Sequence, residues 1–181
     1  MARYAAFLRG INVGGHRITN DELRKACEAV GLEDVATVRA SGNVMFAAQD
    51  GQNRDAIVDR IESGLGETLG YEVPVFLRSA AEVTAIAGHQ PFPAKVVAAS
   101  AGKLQVSLLA AKPSARAKKT VLALADDEDR LAIRACELYW LPSGGLLESE
   151  LDQNAVESAL GLSTRRTKGT IEQVAAKFFA E

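Results

Sequence analysis

Two short segments carry the side chains best suited to chemistry: Arg9-Gly10-Ile11-Asn12-Val13-Gly14-Gly15 and Ser41-Gly42-Asn43. Arg9 offers a guanidinium for charge; Asn12, Asn43 and Ser41 offer amides and a hydroxyl that orient an oxygen-rich ligand. Gly14 and Gly15 let backbone N–H groups approach such a ligand or form an anion-binding nest. Neither segment holds an obvious general base, so the chemistry these residues suit is binding or electrostatic stabilisation. A basic cluster, Arg165, Arg166 and Lys168, is read as a solvated loop leading into a capped helix. The alternative is that Arg166 folds back over the N-terminal site as a second anion contact. Turn formation accounts for the same residues without a ligand: Gly14-Gly15 as a positive-φ turn, Ser41-Gly42-Asn43 as a tight hairpin.

Other chemistries find little support. Gly10, Gly14 and Gly15 have neither dinucleotide-binding nor Walker spacing. Asp21 and Glu22 already complement the dipole of the following helix, so an anion on that helix end would meet repulsion. His16 is loop-borne and near the candidate site; His89 has no acid–base partner in a recognisable spacing. With two histidines and two cysteines, no metal site and no cofactor are expected. Cys27 shares an apolar helix face and reads as a buried, inert thiol, whereas Cys136 falls at a turn. Asp126-Asp127-Glu128-Asp129 lacks alternating ligands and a glycine hinge, so it reads as an exposed loop.

The chain that must position these residues has 181 amino acids, 48% of them hydrophobic and 24% charged, enough for a sizeable core. A net charge of −2 argues against a dedicated duplex nucleic-acid binder. The apolar runs are too short for a membrane span, and the N-terminus is a poor signal peptide, so a cytoplasmic location is expected. A strand over residues 3–8 leads to a helix with Leu23, Ala26, Cys27 and Val30 on one face, opened by a capping box at Thr19-Asn20-Asp21-Glu22. Strands at 35–40 and 44–47, a helix striped by Ile57, Ile61, Leu65 and Leu69, and a strand at 73–78 complete a β-α-β-β-α-β order. That order predicts a ferredoxin-like α+β half over residues 1–90. Ser79-Ala80-Ala81-Glu82 opens a short helix ending near Gly88. A Pro/Ala/Ser/Gly stretch at about 90–102 marks a linker. Residues 91–181 repeat β-α-β-β-α as a second, smaller α+β half, with a terminal helix opened by Thr170-x-x-Gln173 in place of the last strand.

In a split βαβ the first two strands are parallel, so both glycine-bearing segments leave the sheet at one carboxyl edge, where ligands tend to bind in α/β sheets. These segments, with Gln90-Pro91-Phe92 and Thr164-Arg165-Arg166-Thr167-Lys168-Gly169-Thr170, resemble the signatures of the bacterial domain-of-unknown-function 1697 family. Gln90 and Thr167 each stand where that pattern has Asn. The resemblance implies a two-part α+β protein with ferredoxin-like topology and supplies no activity. Three functions therefore stay open. The first is a module binding a small anionic or polar ligand through Arg9, Asn12, Gly14, Gly15, Ser41, Asn43 and Arg166, or a protein partner on a sheet face. The second is an enzyme using Arg9 and Arg166 for electrostatic stabilisation. The third, and weakest, is RNA binding through sheet aromatics Phe7 and Phe46.

Overall fold

The computed structural model describes residues 1–180. They form two compact units, Met1–Thr84 with the chain end from Val174, and Ala85–Gln173. The last residues of the chain thus belong with the first unit.

In the first unit, β1 (Ala2–Leu8), α1 (Asn20–Ala29), β2 (Glu33–Thr37), β3 (Asn43–Ala48), α2 (Arg54–Leu69) and β4 (Val75–Ser79) follow in sequence. The sheet order is β2-β3-β1-β4, and each neighbouring pair is antiparallel. β1 and β2 are therefore parallel, with β3 reversed between them, as a split βαβ requires. Strand alternation sends Ala6, Leu8, Val44 and Phe46 toward one face, where they meet Leu23, Ala26 and Cys27 of α1 and Ile57, Ile61 and Leu65 of α2. The Thr19–Glu22 capping box opens α1: the Thr19 hydroxyl accepts from Glu22 N, and the Glu22 carboxylate accepts from Thr19 N. Gly64 lowers the helix propensity of α2, yet a Cβ there would lie 2.0 Å from Val30 Cγ1. The close approach of the α1 C-cap requires it.

The chain passes through α3 (Ala80–Gly88), opened by Ser79 and Glu82, which accept from each other's backbone N–H. Then come α4 (Ala94–Ala99), β5 (Gln105–Leu109), α5 (Ala115–Leu122), β6 (Asp129–Arg134), β7 (Glu137–Pro142), α6 (Gln153–Leu160) and β8 (Ser163–Thr167). The chain finishes in α7 (Lys168–Val174) and a π-helical turn, Ala175–Phe179. The second sheet, β6-β7-β5-β8, is again wholly antiparallel and repeats the strand order of the first. Its core sets Leu131, Leu138 and Trp140 against Val121 and Val156. The protein is thus α+β, with two four-stranded antiparallel sheets.

Four expectations need correction. The second half does have a fourth strand, β8, and Arg165 and Arg166 lie in it, not in a loop. α7 is capped one turn earlier than expected: the Thr167 hydroxyl accepts from Thr170 N at 3.2 Å. Thr supplies the capping oxygen that Asn would supply there. Within the expected linker, residues 94–99 are helical, with Pro93 at the N-cap. Asp129 is not exposed: it is 3% accessible and accepts hydrogen bonds from Trp140 Nε1 at 2.6 Å and Ser149 Oγ at 2.8 Å.

Candidate functional site

Because β1 and β2 are parallel, the β1–α1 loop (residues 9–19) and the β2–β3 hairpin (38–42) leave the first sheet at one edge. β4 runs antiparallel to β1, so the α2–β4 loop (70–74) enters there too. The three are fastened together. Leu8 N donates to Gly42 O at 2.8 Å, Arg9 N to Pro74 O at 2.9 Å, and Asn12 Nδ2 to Ala40 O at 2.8 Å. Ile11 and Ile18 anchor the two ends of the long loop in the core, leaving residues 13–17 exposed between them.

Asn12 organises that loop. Its Oδ1 accepts from Ile18 N at 2.8 Å, and its backbone carbonyl accepts from Arg17 Nη1 at 2.7 Å. Asn43 does the same for the hairpin: buried to 1%, it donates through Nδ2 to Val38 O at 2.9 Å and Ser41 Oγ at 3.0 Å. Both amides are therefore positioning groups. Seven residues at this edge hold left-handed φ: Gly10, Asn12, Gly14, Gly15, Arg39, Gly42 and Gly70. For Asn12 and Arg39, each at +57°, the conformation costs about 1–3 kcal/mol, and such strain collects at ligand-holding sites. Gly42 is forced twice over, since a Cβ at its φ of +72° would lie 2.9 Å from Leu8 Cβ. Around Gly14 and Gly15 nothing lies within 4 Å of a would-be Cβ, so the backbone there is open to approach.

Basic residues outnumber acidic ones in the sequence of this edge. The three loops carry Arg9, Arg17 and Arg39 and one acidic residue, Glu72, within a chain of net charge −2. The His16 ring lies over Tyr71, centroids 3.9 Å apart, and so ties the tip of the long loop to the α2–β4 loop. The N-terminus of α1 is occupied by its own acids. Backbone and hydroxyl hydrogen bonds from Thr19 hold the Glu22 carboxyl below its ordinary value, so negative charge already sits there.

Of the residues selected from sequence, Arg9, Asn12, Gly14, Gly15, Ser41 and Asn43 thus lie in mutually bonded loops at one edge. Arg166 lies in β8 of the second unit, opposite Val106, where Nη1 donates to Thr164 Oγ1 and Arg165 O. Burial pushes its guanidinium down to about 10. Sequence reasoning passed over Arg17, Arg39 and the α2–β4 loop; the strand order already implied that this third loop enters at the same edge. Cys27 is fully buried, and burial pushes its thiol up to about 12. Phe7 is wholly buried and Phe46 is 3% accessible, so neither offers a ring face for base stacking. Among the described residues no group of three or more His, Cys, Asp or Glu could hold a metal ion, and no helix is long and apolar enough to cross a membrane.

Comparison with known proteins adds a family and a fold. A family model described as a protein of unknown function (DUF1697) matches residues 1–139, which include the whole first sheet and its edge loops. The conserved bacterial protein SP0830 from Streptococcus pneumoniae has a similar structure, with a TM-score of 0.72 over 97% of each chain and 22% identity. At that identity the likeness is one of fold. No curated protein matches the chain in sequence.

Proposed function

The chain belongs to the DUF1697 family of unknown function, and from that premise we propose that it binds a small anionic or polar ligand at the carboxyl edge of its first sheet. One observation carries this reading. Both units make the same strand-to-helix connection, but the first takes eleven residues (9–19) and the second five (110–114). The fold does not need the longer loop, and loops lengthened beyond the scaffold's need are commonly functional. What the extra residues bring is chemistry: Gly14 and Gly15 supply open backbone amides, and Arg17 supplies a cation. Arg9, Arg39 and Ser41 border them, and Asn12 and Asn43 fix the frame.

The test is a thermal-shift panel of inorganic phosphate, nucleotides, sugar phosphates and dicarboxylates. A ligand of the native state raises Tm by linkage. An anion in this panel is expected to raise Tm in the wild type and to lose most of that effect in Arg17→Ala and Arg9→Ala. A panel in which nothing shifts Tm, or in which both variants respond like the wild type, contradicts the reading.

A further inference from the structure

At the other end of the first sheet lies a cavity of about 390 Å³, within the range of small-molecule pockets. Apolar and polar groups share its lining: Met45 and Ala47 of β3, which point away from the α1–α2 side, and Phe178 and Phe179 of the π-helical turn supply the apolar part. π-helical turns are rare and recur at functional sites. Three residues that carry charge line it: Arg3, Asp34 and Met1, whose N-terminal ammonium is paired with Asp50 at 2.9 Å. Arg3 of β1 sits 5.3 Å from the Phe179 ring centre, and Asp34 of β2 lines the same cavity. Asp34 lies in a register shift of β2 and has a φ of +51°; such bulges re-aim side chains. Among the described residues neither Arg3 nor Asp34 forms an ion pair, and they do not pair with each other.

We propose that this cavity binds a short apolar peptide with free termini, its carboxylate at Arg3 and its ammonium at Asp34. The spacing sets the length. Arg3 and Glu33 both pair with Ala47, from opposite sides of β3, so the backbones bearing the two charges are about 10 Å apart. An extended chain advances about 3.3–3.6 Å per residue, so three residues bridge that gap. The aliphatic and aromatic part of the lining suits uncharged side chains between the termini. The site is separate from the carboxyl edge, being at the start of β1, about 20 Å from the end of that strand.

The experiment measures Tm of the full chain with trileucine, N-acetyl-trileucine and trileucine amide. Free trileucine at millimolar concentration is expected to raise the wild-type Tm by about 2–5 °C, and each capped peptide by less. Arg3→Gln and Asp34→Asn should lose the response while their ligand-free Tm stays within about 1 °C, because both side chains are exposed and Asn accepts the left-handed φ at 34. Arg17→Ala should keep it, which separates this site from the carboxyl edge. No shift in the wild type, capped peptides as effective as the free one, an undiminished response in Arg3→Gln and Asp34→Asn, or its loss in Arg17→Ala would each overturn the proposal.

Discussion

In the first unit Leu8 N donates to Gly42 O at the hairpin after β2; in the second, Leu109 N donates to Cys136 O in the same relation. Around this shared hydrogen bond the two units diverge. At the carboxyl edge of the central strand the first unit's connections are all longer: residues 9–19, 38–42 and 70–74, against 110–114, 135–136 and 161–162. At the opposite edge the order reverses, with residues 30–32 and 49–53 against 123–128 and 143–152. The lengthened end of the first unit is rich in arginine and left-handed glycine; that of the second holds Asp126, Asp127, Glu128, Asp129 and Glu148. One scaffold tolerates growth at either end. Loop length is therefore set by something other than folding, and at the first unit's edge it coincides with backbone and charge suited to an anion.

The largest difference expected between the units is in their cysteines. Cys27 lies in the core and its thiol is pushed up to about 12 by burial, whereas Cys136 is half-buried at a hairpin turn. At pH 8 a thiol reagent should label Cys136 readily. Labelling of Cys27 should wait for unfolding, on the order of a thousand-fold slower or more. Comparable rates would mean that the first unit's core opens locally. Next come the equivalent hairpin positions. Gly42→Ala combines a left-handed backbone with contacts to Leu8 and Ile11, and should cost about 2–4 kcal/mol by urea denaturation. Cys136→Ala should cost less than about 1 kcal/mol. Equal costs would mean that the second hairpin is packed as closely at Cys136 as the first is at Gly42.

The second unit's long end depends on Asp129, which accepts from Trp140 and Ser149. Asp129→Ala leaves a buried indole N–H unpaired and should destabilise by about 2–3 kcal/mol without altering any anion response. Smaller still is Thr19→Ala, which removes the capping box at the end of the 9–19 loop, at about 1 kcal/mol. Its anion response should weaken only if the cap holds the loop in place. Smallest in stability is Arg17→Ala, within about 0.5 kcal/mol because the side chain is exposed. Its whole effect is expected on ligand binding.

Much of the first unit was legible because each local signal agreed with the next. Thr19 and Glu22 marked the start of α1, and Leu23, Ala26 and Cys27 gave its buried face. From the β-α-β-β-α-β order, the meeting of the 9–15 and 41–43 segments at one edge followed by topology alone. β8 was hidden because the buried side of Ser163–Thr167 is Thr164 and Arg166, so no apolar alternation showed. Asp129 was hidden by its acidic neighbours; its indole partner, Trp140, is eleven residues away across the β6–β7 hairpin. Short α4 buries none of its residues, so it left no periodic stripe. Nor could residue types alone show that Asn12 ties its loop to the hairpin and that Asn43 holds the hairpin itself, since the same amides would serve a ligand equally well.

The central claim is that the lengthened edge of the first unit binds an anion through its loop backbone. Amide chemical shifts during a titration with inorganic phosphate at constant ionic strength test it most directly. The expected result is a saturable set of shifts centred on Gly14, Gly15, His16 and Arg17, with the hairpin at Ser41 following and residues 110–114 of the second unit still. Shifts that never saturate, that scatter over arginines throughout the chain, or that leave the 13–17 amides unmoved would contradict it.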